Sequence, residues 1–175
     1  MDSQTTGMVW WITGLSGAGK TTVSRLVAEG LKQAGRSVVV LDGDVLRAIL
    51  GDVAGYTPED RLRLAGIYGR LAREFAQQGH DVVCATVSMF HAARAWNREH
   101  IACYTEIYLR VPMQALSERH PQQLYTRATD AGVGHVVGFH SPPEEPQSPD
   151  LVIDNHGDMT PLAAARKILA LADIT

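Results

Sequence analysis

Cysteine is scarce in this chain. Cys84 and Cys103 are the two among 175 residues, far apart and in none of the spacings used for metal binding or dithiol chemistry. That excludes a disulfide scaffold and points to thiols kept in a reducing compartment. An excess of positive charge is also lacking. With 16 Lys and Arg against 19 Asp and Glu the net charge is −3, which argues against an extended nucleic-acid footprint and leaves room only for a local basic site. No apolar run approaches the roughly 20 residues of a membrane span, and Met1-Asp2-Ser3-Gln4 has no basic leader character. No internal repeat appears. The expectation is a cytoplasmic protein with no membrane or nucleic-acid partner, acting on something small. At this length one well-buried core fits and two ordinary enzyme domains do not, so a single domain over residues 1–175 is expected.

What is present is a glycine-rich loop, Gly14-Leu15-Ser16-Gly17-Ala18-Gly19-Lys20-Thr21-Thr22, between the apolar run Val9-Trp10-Trp11-Ile12 and a helical pattern. Gly14, Gly19, Lys20 and Thr21 match the phosphate-loop spacing. The chemistry asks for these residue types. Glycines let backbone N–H groups close round phosphate oxygens, and the following helix N-terminus adds partial positive charge. Lys20 then reaches the β- and γ-phosphates and Thr21 the Mg²⁺. ATP-binding residues are therefore expected at Gly14, Ser16, Gly17, Ala18, Gly19, Lys20, Thr21 and Thr22.

Downstream, Val23, Leu26, Val27, Leu31 and Ala34 recur at helical spacing up to Gly35. Ser37 to Leu41 is an apolar run of the kind expected for a strand buried on both faces, ending in Asp42-Gly43-Asp44. Thr57-Pro58-Glu59-Asp60 opens a long helix that Gly79 closes, with Leu64, Tyr68, Leu71 and Phe75 toward the core. Asp81 to Val87 predicts a third strand, Arg94 to His100 a helix, Tyr104 to Val111 a fourth strand, and Pro112 a short helix running to about Arg119. Periodicity fades from about residue 120 to 149, a segment expected to form a lid, with Leu124, Tyr125 and Arg127 in it. Asp150 to Asp154 restores a strand, and Thr160-Pro161 starts a final helix with Leu162, Ala165, Ile168, Leu169 and Ala172 on one face. Such alternation implies an α/β fold: a parallel, helix-flanked sheet with right-handed crossovers.

Phosphate-loop proteins divide into hydrolases, which hold an attacking water, and kinases, which hold an acceptor hydroxyl. No segment supplies a Walker B carboxylate or a guanine-reading motif in the usual form, so Asp42-Gly43-Asp44 stands in for the missing acid. Two roles need acids: holding Mg²⁺, and orienting or deprotonating the acceptor hydroxyl. Asp42 and Asp44 can share them, because Gly43 leaves the backbone free to turn both carboxylates into one site. Among the basic residues of the long helix, Arg61, close to its N-terminal end, is the functional candidate. His91, His120, His135 and His140 have no metal-ligand spacing, and Trp96 reads as a packing residue.

The phosphate loop, Leu41-Asp42-Gly43-Asp44 with Arg47, Asp60-Arg61, Ser88, Leu124-Tyr125, Gly138, Ser141-Pro142 and Glu145-Pro146 together resemble the adenylylsulfate (APS) kinase family, across nearly the whole chain and in order. The resemblance implies a P-loop kinase fold with a five-stranded parallel sheet and a lid. It implies ATP-dependent phosphorylation of a nucleotide's ribose 3′-hydroxyl, a place in sulfate assimilation, and a homodimer. Carried over, Asp42, Asp44, Arg47, Arg61 and Ser88 line the acceptor site, with Lys20, Asp42 and Asp44 catalytic and Thr21 and Asp42 on the metal.

Departures cluster where the acceptor base sits. Tyr56-Thr57 stands for the family's Phe-Ser, Arg63-Leu64 for Glu-Asn, and Val136-Val137-Gly138 for Phe-Thr-Gly, so Tyr56 keeps one aromatic face of the adenine clamp and Val136 loses the other. Arg119-His120-Pro121-Gln122-Gln123 replaces Arg-Asp-x-Lys-Gly, and Phe139-His140 replaces Ile-Asp. Together with Phe90-His91 and Trp96-Asn97-Arg98, these changes are similar to a subgroup linked to surface polysaccharides that includes cytidine diphosphoramidate kinase. A cytidine nucleotide is therefore the alternative acceptor. A catalytically silent nucleotide-binding regulator and a simple ATP hydrolase are the readings from other classes, and intact Lys20, Thr21, Asp42 and Asp44 argue against the regulator.

Overall fold

A computed structural model describes residues 6–51, 55, 57–119 and 143–174. Expectations placed on Tyr56, on Val136, and on the rest of the lid segment between residues 120 and 142 lie outside the described residues. In chain order the described elements are β1 (Val9–Thr13), α1 (Lys20–Gln33), β2 (Val38–Asp42), α2 (Gly43–Leu50), α3 (Pro58–Gln77), β3 (Asp81–Thr86), α4 (His91–His100), β4 (Tyr104–Arg110), α5 (Met113–Arg119), β5 (Leu151–Asp154) and α6 (Pro161–Leu169).

The strands form one parallel five-stranded sheet in the order β2-β3-β1-β4-β5. β1 is central because it is apolar on both faces. The period of two sends Trp10 and Ile12 to one side and Val9 and Trp11 to the other, and all four are fully buried. On the first side they meet Val23, Val27 and Leu31 of α1 and Ala164, Ala165 and Ile168 of α6. On the second they meet Leu64, Tyr68 and Ala72 of α3. A helix-covered parallel sheet puts all strand C-termini on one edge, and the strand order reverses beside β1, where such folds bind ligands.

Three expectations change. The run Val38-Val39-Val40 forms an edge strand rather than one buried on both faces, and Val40 is 39 % exposed; an apolar run alone does not distinguish edge from centre. Leu162 is 49 % exposed at the start of α6 instead of facing the core, since the α1 contact falls one turn later on Ala165 and Ile168. Helix α4 begins at His91, not Arg94, and α2 follows the acid pair with no coil between. The start of α3 is as expected: Thr57 and Asp60 make a reciprocal capping box with Pro58 at the first position. The Thr57 hydrogen bond holds the Asp60 carboxyl below its ordinary pKa.

Buried charge ties the chain after residue 143 to the sheet. Glu106 of β4 is buried between Arg94, at 3.3 Å, and Arg98, at 3.1 Å. Arg98 also pairs with Asp150 at 3.0 Å, and Arg94 donates to the Glu144 carbonyl at 2.6 Å. Burial is the larger influence on Glu106 and raises its pKa, against the pull of both guanidiniums. Removing one member of such a cluster leaves uncompensated buried charge. Glu106→Ala is therefore expected to lower unfolding free energy by about 3–5 kcal/mol, read from urea denaturation midpoints.

Candidate active site

The loop from Thr13 to Lys20 joins central β1 to α1. Its shape depends on glycine at two places. A side chain at Gly14 would place its Cβ 2.6 Å from the Leu109 carbonyl oxygen of neighbouring β4, closer than van der Waals contact permits. Gly19 has φ +88°, a left-handed conformation, as the N-cap of α1. Within the loop the Leu15 carbonyl accepts from the Ala18 N–H at 3.1 Å and from Lys20 Nζ at 2.8 Å. Ser16, Gly17 and Ala18 form the turn, and Lys20, Thr21 and Thr22 open α1. The N-terminal N–H groups of a helix this long favour an anion.

Asp42 ends β2 beside this loop. Its Oδ2 accepts from Thr21 Oγ1 at 2.7 Å. Its Oδ1 accepts from the Asp44 N–H at 2.9 Å, which makes Asp42 the N-cap of α2. One carboxylate thus spans the phosphate loop and the helix carrying Asp44 and Arg47. Gly43 serves differently from expectation: it lies in the first turn of α2, and a Cβ there would sit 3.3 Å from Thr86 Oγ1, so its smallness lets α2 approach β3. Asp44 follows in the first turn with its side chain exposed. Two hard oxygen donors, Thr21 Oγ1 and Asp42 Oδ2, side by side suit Mg²⁺, which typically takes one or two protein oxygens and completes its shell with water and substrate phosphates.

Past β3, Thr86 and Ser88 share a hydrogen bond at 2.7 Å and Ser88 is buried. The Thr13 hydroxyl donates to the Val87 carbonyl at 2.7 Å, fixing the exit of β3 against β1. Arg47 of α2 donates to the Gly55 carbonyl at 2.9 Å. Arg61 is half-buried in the first turn of α3. The loop, Thr21 and Asp42 are brought together by direct contacts, and Asp44 and Arg47 follow on α2. Trp96 stacks on His100 with ring centroids 4.5 Å apart and lies near the Arg70 and Arg73 guanidiniums, a packing role.

Sequence reasoning missed Asn155. It follows β5 at the same edge, is buried, and donates from Nδ2 to the Ala18 carbonyl at 2.8 Å. Arg119, at the end of α5, donates to the Asn155 carbonyl at 2.7 Å. The available signal was positional only: a polar residue just beyond a strand's C-terminal end.

The family model described as adenylylsulphate kinase matches residues 6–154. The adenylyl-sulfate kinase of Paraburkholderia xenovorans is 40 % identical over 149 residues, covering 85 % of this chain and 83 % of that protein. The cytidine diphosphoramidate kinase of Campylobacter jejuni is 38 % identical over 145 residues, covering 83 % and 84 %. Among solved structures, the Mycobacterium tuberculosis APS kinase in complex with AMPPNP and APS superposes with a TM-score of 0.86 at 32 % identity, over 95 % of this chain and 98 % of that one. A phosphate loop on a five-stranded parallel sheet, matched along most of its length, places this chain in the adenylylsulfate kinase family: it is an ATP-binding P-loop kinase, a phosphotransferase acting on a hydroxyl group.

Proposed function

We propose that this chain transfers the γ-phosphoryl of ATP to the ribose 3′-hydroxyl of adenylyl sulfate. The observation that carries the reading is the 2.7 Å contact of Thr21 Oγ1 with Asp42 Oδ2, which joins the donor loop to the acid at the head of α2. Lys20 and the N–H groups of the Gly14 to Thr22 loop hold the β- and γ-phosphates. Thr21 and Asp42 hold Mg²⁺, which when bound offsets charge on those phosphates. Asp44 orients the acceptor hydroxyl and takes its proton. Arg47 and Arg61 hold the acceptor's anionic group, Ser88 lines its pocket, and Tyr56 and Val136 flank its base. Positioning and electrostatics dominate such a reaction.

A cytidine diphosphoramidate-type acceptor is the second reading. Similarity to the Campylobacter jejuni enzyme supports it, together with the Val136 replacement and the Phe90-His91 pair. An acceptor panel separates the two: ADP release with adenylyl sulfate and with cytidine diphosphate derivatives, followed by phosphorus NMR to place the new phosphate. Turnover on adenylyl sulfate with a 3′-phosphate product supports the first reading. A kcat/KM at least about tenfold higher on the cytidine compound moves the assignment to the second. ATP binding without turnover on either supports the silent regulator, and steady acceptor-independent ADP release the hydrolase.

The same proposal includes one kinase domain, a cytoplasmic location and a homodimer, which light scattering tests as twice the 19.0 kDa of one chain. No helix among the described residues is long and apolar enough to cross a membrane.

A further inference from the structure

We infer that Asn155 is a positioning residue for the ATP site: its side-chain amide fixes the orientation of the Ala18–Gly19 peptide, and thereby aims the Gly19 N–H at the bound phosphates. The inference rests on this chain's membership of an ATP-using kinase family and does not depend on which acceptor it takes.

The amide of Asn155 is buried, and its Nδ2 lies 2.8 Å from the Ala18 carbonyl oxygen. In a trans peptide group the C=O and the following N–H point in opposite directions, and the described residues contain no cis peptide bond. A carbonyl held outward toward Asn155 therefore directs the next N–H, that of Gly19, toward the interior of the loop. Gly19 has φ +88°. Glycine at this position accepts several backbone orientations, so its own conformation does not prevent the peptide from rotating. An external donor supplies that constraint. The fit is close: a Cβ on Gly19 would come within 2.9 Å of Asn155 Nδ2, so the absence of a side chain at Gly19 is what admits the Asn155 amide.

Asn155 is itself held firmly. Its backbone N–H donates to the Arg110 carbonyl at 2.9 Å, and its carbonyl accepts from Arg119 at 2.7 Å. Neither bond uses the side chain, so changing the amide leaves both in place. Anchoring to β4 on one side and α5 on the other makes the amide a fixed post. The phosphate loop leans on it, beside the Leu15 carbonyl contacts from Ala18 and Lys20.

The test is Asn155→Asp and Asn155→Ala in the full chain, with Mg-ADP and Mg-ATP as probes. Asn155→Asp keeps the shape and places an acceptor against the Ala18 carbonyl. Asn155→Ala removes the donor without adding charge. Both variants are expected to bind ADP about tenfold to a hundredfold more weakly by calorimetry, the scale of one buried hydrogen bond whose loss leaves its partner unsatisfied. KM for the acceptor should stay within about twofold and KM for ATP should rise with the ADP constant. A purely structural role would lower Tm and spare nucleotide affinity in the folded fraction. As a control for a variant that folds poorly, the ADP-induced rise in Tm is measured for each: a rise much smaller than in the unsubstituted protein supports the inference. ADP affinity within twofold of the unsubstituted protein in either folded variant, or an unchanged ADP-induced rise in Tm, overturns it.

Discussion

Lys20→Ala is expected to reduce phosphoryl transfer by about a thousandfold or more while the protein stays folded. The ammonium is the one side-chain cation on the phosphate loop, and it stands at the N-terminus of α1, where backbone N–H groups already favour an anion. It donates to the Leu15 carbonyl at 2.8 Å, a contact that the proposed mechanism exchanges for the β- and γ-phosphates. Charge that develops during transfer then loses its fixed counter-charge, and preorganised donors of this kind are worth about 10²–10³ in rate even when neutral. Stability should change little, because Lys20 is half-exposed and the core residues behind it, Val23 and Val27, are untouched. Lys20→Arg should remain strongly impaired, since a planar fork does not occupy the place of a compact ammonium. Steady-state ADP release with acceptor, beside a thermal melt, checks both. Retained activity in Lys20→Ala would remove the basis for the phosphate-loop mechanism.

Substitution at Asp42 should separate two functions of one carboxylate. Asp42→Asn keeps an oxygen able to accept from the Asp44 N–H, and asparagine is as good an N-cap as aspartate. The helix start should survive, with unfolding free energy within about 0.5 kcal/mol. The charge that the proposed mechanism places beside metal and triphosphate is gone, so activity should fall by about a hundredfold or more. Asp42→Ala should lose activity similarly and also about 1 kcal/mol of stability through the uncapped α2. Denaturant midpoints and kcat, measured on both variants, read the two effects apart. Equal stability in the two variants would show that the cap contributes nothing measurable. Equal activity in Asp42→Asn and the unsubstituted protein would remove Asp42 from the metal site.

Much of the donor half was legible in the sequence because it is local. The spacing of Gly14, Gly19, Lys20 and Thr21 specifies a loop whose ligands are its own backbone, and a strand before it and a helix after it are read from short-range periodicity. The acid pair was legible as residue type and roughly as place. Its division of labour was not: that Asp42 caps α2 and touches Thr21, and that Gly43 is small for the sake of Thr86, are consequences of how β2, β3 and α1 meet. Helix α2 itself went unnoticed because its eight residues begin directly at the acid pair, with no break in the chain to mark them. Arg94 looked like the first residue of a helix; it is instead a buried cation facing Glu106 across more than ten residues of chain.

By itself the sequence determined that this is a phosphate-loop α/β protein, with alternating strands and helices and an acid pair after the second strand. These follow from local spacing, capping and apolar periodicity, which act over one or two turns. Only the tertiary structure decided which strand is an edge, which acid touches Thr21, and that Asn155, 137 residues from Ala18, holds its carbonyl. The physical reason is common to all three. Strand order and the meeting of loop ends at one sheet edge are set by long-range burial of both faces of β1, and that burial leaves no mark in the neighbourhood of any single residue.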